Sequence, residues 1–419
     1  MSDAGLGAQK LHEALTQLQQ GRMDAAYHAG CAALEAFSTA ADRTGSAAAH
    51  QLLGMLALSR GEVESAIEHL EAAIPLREST GDDAGLASLL QERFEIALRT
   101  GDLEGARLWM ERQLSAHDRS NDREGRAHAL HQLAQLHLQA GEPDRAEALV
   151  QDAFWAIEGP GSERARAALV VLSSNIAIEK AQLERAESLA RQAVELARQA
   201  RFRPAELDAM FQLGVVLRLR ESWKPALRVL EDALMGRELL KDADGKAQVL
   251  RELAAVQVGM GDIDAALGRL QYAAKTLRED ENVLGEVSAL QALQTLADEH
   301  GRPDRARAAA EALVRATDGN AEANAAAWFA LATRLASAGE LPDAERAFTT
   351  SMQIQARLGG AHEAAVAAGM LGQVLAAQGR RDEGIKLLKH ALTELDRLQS
   401  EAAEAVREIL TELSASEAD

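Results

Sequence analysis

Cysteine, aromatic residues and proline are all scarce in this chain. A single cysteine, Cys31, excludes an internal disulfide. It sits among Ala and Leu in a predicted helix and is expected to be a small buried apolar residue. Aromatics make up 3% of the 419 residues, against 47% apolar residues, so the core must be Ala and Leu packed at close helix-to-helix distance. Seven prolines are too few for a linker-rich or disordered chain. No run of 18 apolar residues occurs, which predicts no membrane insertion. The first twenty residues show no long apolar run after a basic start, so no leader is expected. Positive charge is in the minority, 45 Lys and Arg against 65 Asp and Glu, for a net charge of -20. That balance disfavours nucleic acid and anionic membrane surfaces and leaves basic partners attractive. A cytoplasmic location is expected, and the Ala/Arg/Leu-rich, Lys-poor wording has a bacterial look.

Signatures of chemistry are missing too. Gly5-Leu6-Gly7 lacks a third glycine and a preceding strand, so it is no dinucleotide fingerprint. There is no His-Glu-x-x-His, no Cys-x-x-Cys and no nucleophile elbow. Carboxylates follow exposed helix faces with arginines nearby, as in Glu184-Arg185 with Glu187. His128 and His131 share a helical face and His137 falls on a neighbouring one. Two imidazoles without a carboxylate or thiolate do not complete a zinc site, so all three read as polar groove residues. Trp109, Trp155 and Trp223 share no column and read as packing between hairpins. No catalytic residue, metal or cofactor is expected, and the chain reads as a non-enzyme.

What is present is a period. Gly21, Gly61, Gly101, Gly141, Ala181, Glu221, Gly261, Gly301, Gly339 and Gly379 recur every 40 residues, with one 38-residue step after Gly301. Five residues after each comes a small residue: Ala26, Ala66, Ala106, Ala146, Ala186, Ala226, Ala266, Ala306, Ala344 and Gly384. A period in this range marks a solenoid, which overrides the two or three domains that the length suggests. In residues 46–80, Leu53, Gly54 and Ala57 form one helical stripe, Gly61 ends that helix, and Ala66, Leu70 and Ala73 form the next. Each unit is therefore an α-hairpin, with the small residue where its two helices cross. A second punctuation column is expected between hairpins at Gly45, Gly85, Gly125, Gly245 and Gly285, with Ala165 and Ala205 in two copies. Gly159-Pro160-Gly161 and Pro204 break the chain after the fourth and fifth hairpins. The first and third copies are degenerate, the third through Gln113, which stands where Ala is usual.

The fold class this implies is all-α: a right-handed α-solenoid superhelix of about ten hairpins over residues 1–398. Residues 399–419 form a capping helix and an acidic tail. Leu398, Ala402, Val406, Ile409 and Leu413 repeat at three- and four-residue steps and read as a helix over 399–413. It either covers the last hairpin or docks a second protomer as a homo-oligomer. Ser414–Asp419 are expected to fray.

These motifs resemble the tetratricopeptide repeat. Leu53-Gly54, Leu213-Gly214 and Leu371-Gly372 match its Leu-Gly step, and Gly101-Asp102 and Gly261-Asp262 match its turn. Ala226/Leu230/Ala233 and Ala266/Leu270/Ala273 match its second helix, and Trp328 stands at its first aromatic position. The usual repeat has 34 residues. The 40-residue form is similar to the repeats of kinesin light chains, Pins-type polarity adaptors and bacterial signalling regulators.

The resemblance implies that first helices line a concave face that holds ligands. Carried over, the inward positions form two columns. One holds Gln51, Gln91, His131, Val171, Phe211, Arg251, Gln291 and Phe329; the other holds Met55, Glu95, Gln135, Asn175, Val215, Ala255, Thr295 and Thr333. The amides suit the backbone of an extended peptide, and Phe211 and Phe329 suit apolar anchors. The Lys/Asn/Arg clamp of chaperone-binding members is missing: Asn175 stands alone and the Lys positions hold Gln or His. Arg218 and Arg251, with Arg220 nearby, either grip an acidic group or pair with Asp208 and other local acids. The function so implied is a non-catalytic adaptor or scaffold for a protein or peptide partner. The alternative is a regulatory peptide sensor that changes superhelical pitch and signals to a separate output protein.

Overall fold

The computed structural model describes residues 2–157, 159 and 162–415. Pro160, Gly161 and the tail from Ser416 lie outside the described residues. Every described element is a helix. By its internal packing the chain divides into two units, Met1–Val216 and Leu217–Asp419.

In unit 1, ten helices follow one another as five hairpins, each helix packed on the next. They are α1 (Asp3–Gln19) with α2 (Met23–Thr39), α3 (Arg43–Ser59) with α4 (Val63–Thr80), and α5 (Asp83–Thr100) with α6 (Leu103–Ser120). Next come α7 (Arg123–Gln139) with α8 (Pro143–Ala156), and α9 (Glu163–Glu179) with α10 (Leu183–Gln199). The unit boundary falls within α11 (Arg203–Leu219). Unit 2 holds α12 (Trp223–Leu240), α13 (Ala243–Gly259) with α14 (Ile263–Glu279), and α15 (Val283–Glu299) with α16 (Pro303–Ala316). It continues with α17 (Ala321–Ser337) and α18 (Leu341–Leu358), α19 (Ala361–Ala377) and α20 (Arg381–Arg397), and ends with α21 (Ala402–Ala415). This is an all-α solenoid of helical hairpins.

The small column is a packing device. Ala26, Ala66, Ala106, Ala146, Ala186, Ala226, Ala266, Ala306 and Ala344 are fully buried where the paired helices cross. In the last hairpin the approach is tighter still. A Cβ on Gly384 would lie 2.5 Å from the Gly372 carbonyl oxygen, so only glycine fits. Larger side chains here would force backbones apart, at a cost of about 1–3 kcal/mol or more.

The second punctuation column is not where the sequence reading put it. Gly45, Gly85, Gly125, Gly245 and Gly285 lie in the first turn of the first helices, not in the linkers. The linkers turn four residues earlier, through left-handed Ala41, Gly81, Asn121, Arg201, Lys241, Glu281, Gly359 and Gln399. Five of those eight residues are neither Gly nor Asn, so residue type hid the turn. The glycines serve a cap instead. Asp42, Asp82, Asp122, Asp242 and Asn282 each accept a hydrogen bond from the glycine N–H three residues on, at 2.9–3.0 Å. A side chain from the preceding helix then lies over the bare glycine: Phe37, Arg77, His117, Arg237 and Leu277 in turn. In three of these copies that side chain also pairs with the capping aspartate: Arg77 with Asp82, His117 with Asp122 (2.9 Å) and Arg237 with Asp242 (2.5 Å).

Two further expectations fail. Cys31 is exposed. The buried face of α2 runs through Ala26, Ala29, Ala33 and Ala36, and Cys31 is two residues, about 200°, from Ala29. In an Ala-rich helix apolar neighbours surround every position and mark no face. Trp155 is 66% exposed and packs between no hairpins. Trp109 and Trp223 do pack as expected. The Arg93 and Arg112 guanidiniums lie over the Trp109 ring, 4.8 and 5.2 Å from its centre, and the Trp223 ring covers Gly259. The terminal helix begins at Ala402, later than expected, and buries Ala403, Val406 and Leu410 in a cluster with Leu388 and Leu395.

Candidate functional site: the open stripe of the first helices

Each first helix buries most of its circumference against its own partner and the neighbouring hairpins. One line of side chains is left facing solvent, at spacings of three and four. In α5 it runs through Ser88, Gln91 and Glu95, in α7 through His128, His131 and Gln135, and in α9 through Ala168, Val171 and Asn175. The expected positions fall on this line. In unit 1, Met55 and Gln135 are exposed, while Gln51, Gln91, His131, Asn175, Phe211 and Val215 are half-buried. In unit 2, Arg251 and Gln291 are exposed, and Arg218 and Phe329 are half-buried.

Not all of them are free to meet a partner. Gln51 Nε2 donates to Ser88 Oγ (3.1 Å) and Glu92 Oε1 (2.6 Å), tying α3 to α5. Phe329 makes an edge-on contact with the fully buried Phe348, ring centres 5.4 Å apart, so its ring serves the core. Arg218 donates to Glu252 at 2.6 Å, which is the local pairing that the sequence left open. Arg251 has no ion-pair partner among the described residues.

Two cavities adjoin along the stripe of unit 1. One, of about 800 Å³, lies between α7 and α9 and is lined by Arg123, His128, His131, Ser162, Arg164 and Leu169 among others. The second, of about 640 Å³, lies between α5, α6 and α7 and is lined by Ser88, Gln91, Glu92, Gln113, Glu124 and His128 among others. His128 and Glu124 belong to both. Arg123 and Arg164 have no ion-pair partner among the described residues; the Arg164 guanidinium lies 3.8 Å from the centre of the Phe202 ring.

Burial, reinforced by the neighbouring His128, pushes the His131 imidazole down to about 4. Burial and His117 lower His128 in the same direction. Both rings are therefore neutral at neutral pH, and each offers one donor and one acceptor. His137 is not a groove residue. It is buried at the hairpin turn, with Nδ1 2.6 Å from Glu142 Oε2, and that bond holds the Glu142 carboxyl below its usual range. Among the described residues no three His, Cys, Asp or Glu side chains are grouped to hold a metal ion. Nor is any helix there long and apolar enough to cross a membrane.

Sequence reasoning missed Glu92, Arg123 and Arg164 as cavity residues. Gln113 was visible only as a departure from the Ala column.

The hairpins, their crossings and their stripe define a helical-repeat scaffold. More particularly, residues 32–83 and 293–352 match the model of the tetratricopeptide repeat family. No curated protein matches the chain. Among solved structures it is similar to a signal-transduction ATPase with numerous domains and a tetratricopeptide repeat sensor, from Pyrococcus horikoshii. That match has 15% identity and a TM-score of 0.48, and covers 92% of this chain and 55% of the other, so the chain spans about half that protein's length. Aspartyl phosphate phosphatase F from Bacillus subtilis is similar at 12% identity over 85% of this chain and 95% of its own, with a TM-score of 0.49. A putative kinesin light chain repeat protein from Podospora anserina is similar at 16% identity over 48% and 98%, with a TM-score of 0.40.

Proposed function

We propose that the chain is a non-catalytic adaptor that holds an extended peptide, or an extended segment of a partner protein, on the open stripe of unit 1 from α3 to α9. One observation carries this reading. Two cavities adjoin on that stripe and share His128 and Glu124. The polar side chains that line them, amides and neutral imidazoles, can donate and accept at once, which suits a peptide backbone. The acidic balance of the chain favours a basic partner.

The test is to select a peptide ligand by display on the full chain and to measure its affinity for variants. His131→Ala and Gln135→Ala are expected to weaken binding about tenfold, since contacts near the centre of an interface carry most of its energy. Leu108→Ala removes an exposed side chain of a second helix and is expected to change affinity less than about twofold. The reverse pattern would place binding on the second helices and overturn the reading.

A further inference from the structure

Acceptor oxygens without donors collect at the wall of the cavity between α5, α6 and α7. Gln91, Glu92 and Gln113 line that cavity, and the Gln91 Oε1, Glu92 Oε2 and Gln113 Oε1 atoms are buried and receive no hydrogen bond from any described residue. Native interiors leave few such atoms, because a buried acceptor that has given up water and found no donor is costly.

Their orientation is fixed by what their other atoms do. Gln91 Nε2 donates to Glu95 Oε1 at 3.1 Å, which fixes which way the amide is turned and leaves its oxygen without a donor. Glu92 Oε1 accepts from Gln51 at 2.6 Å, which leaves Oε2. Burial first, and Glu95 further down the causes, raise the Glu92 carboxyl above its usual range, as expected where a carboxylate lacks a nearby cation.

Repetition within the chain shows that the fold does not require this. At the position of Gln113, the second helices of other hairpins carry Ala73, Ala153, Ala193, Ala233 and Ala273, all fully buried. Gln113 is only 5% exposed. A long amide has replaced a methyl group in the packed column and left its oxygen beside two other unsatisfied acceptors. The remaining charged groups on the wall do not fill the need. Glu124 is a further acid, His117 pairs with Asp122 at 2.9 Å, and His128, lowered and neutral, brings no positive charge.

We propose that this cavity binds a cationic N–H donor, the guanidinium or ammonium end of a basic side chain in the peptide that occupies the stripe. Gln91, Glu92 and Gln113 accept its hydrogen bonds, and Glu92 and Glu124 balance its charge. This rests on the groove reading above and gives it a preference: the bound segment carries Arg or Lys at the point where it passes α5 and α7.

The probes are N-acetyl-arginine amide and N-acetyl-citrulline amide, titrated against the full chain by NMR. Citrulline keeps the shape and loses the charge. The arginine probe is expected to bind at least about tenfold more tightly. Gln113→Ala and Glu92→Leu are each expected to lower its affinity about fivefold or more. Gln113→Ala restores the residue of the other hairpins and leaves the net charge unchanged, so general attraction to an acidic surface is unaffected. Glu92→Leu introduces the residue found at Leu52 and Leu172, and circular dichroism checks its fold. Equal binding of the two probes, or affinities within about twofold of the parent in both variants, overturns the proposal. A selected peptide that needs His131 and ignores Gln113 leaves the groove standing and removes the cation pocket. A peptide indifferent to His131 removes the groove reading, while the arginine titration still decides the pocket.

Discussion

Two second helices stop early, and the chain deals with them differently. α8 and α16 each have 14 residues and start on a proline, Pro143 and Pro303, whereas the other second helices have 17 or 18. A shortened helix leaves carbonyls without donors and a gap beside the next hairpin. After α16 the gap is closed. Thr317 Oγ1 donates back to the Leu313 carbonyl at 2.7 Å, and Asn324 Nδ2 donates to the Val314 carbonyl at 2.8 Å, both side chains buried. After α8 lies the 800 Å³ cavity, and among the described residues Ser162 Oγ donates to the exposed Gly159 carbonyl at 2.9 Å. The repeat sets where a junction falls. After α16 it is Thr317 and Asn324, buried polar side chains on either side of the linker, that seal it.

Acid should exaggerate this contrast most. His50, His69, His128 and His131 are all lowered by burial, and all lie in unit 1. His50 and His69 also face each other, Nδ1 to Nδ1, at 3.1 Å. A histidine whose folded value is depressed binds its proton more readily in the unfolded chain. Stability is therefore full above about pH 6.5 and falls as pH drops towards 4. For His131, lowered from 6.5 to about 4, the loss is on the order of 3 kcal/mol. Protection against hydrogen exchange, corrected for the intrinsic rate at each pH, is expected to fall in α3 and α7 before α17 as the pH falls from 7 to 5. His131→Gln should flatten the effect in α7, and an equal fall in both units in the parent would break the comparison.

Next in size is the sealed junction itself. Asn324→Ala strips donors from a buried carbonyl and is expected to cost about 2 kcal/mol by urea denaturation. Ser162→Ala, at the open junction, is expected to cost less than about 0.5 kcal/mol. Similar costs would mean that the two junctions are not different in kind.

Smaller effects come from the surface and the turns. Acids one repeat back receive arginines and lysines along both units, as in Arg112–Glu78 (2.7 Å), Arg185–Glu147 (2.6 Å), Arg302–Asp264 (3.1 Å) and Arg380–Glu345 (2.7 Å). Such exposed pairs contribute little and are screened by salt. Raising salt from low to high concentration should lower stability only slightly, and in both units alike. Smallest is the turn at Lys241, left-handed at φ 55, where unit 1 has Gly81 at φ 67. Lys241→Gly is expected to stabilise unit 2 by up to about 1 kcal/mol in thermal denaturation. A loss instead would show that the side chain does something the turn does not need.

The architecture was legible because it is written many times. One Ala per hairpin at the same offset leaves no other reading than a close helix crossing. The linker turns were illegible for the opposite reason. Ala41, Arg201, Lys241 and Glu281 adopt a left-handed backbone that their residue types disfavour, and the glycines four residues later drew the eye to the cap instead. The stripe followed from helical spacing. Which of its members are free did not, because Gln51, Arg218 and Phe329 are occupied by residues 19 to 41 positions away in sequence. The larger cavity lies beside a helix that ends three or four residues early, and the smaller one beside the Gln113 departure from the Ala column.

The most direct test of the account is hydrogen exchange on the full chain, with and without a display-selected peptide. The account predicts that protection appears in α5, α6 and α7 and spreads to α9, and that a Gln113→Ala chain loses it first around α5 and α6. Protection confined to α12–α21, or to the outward faces of second helices, would contradict it.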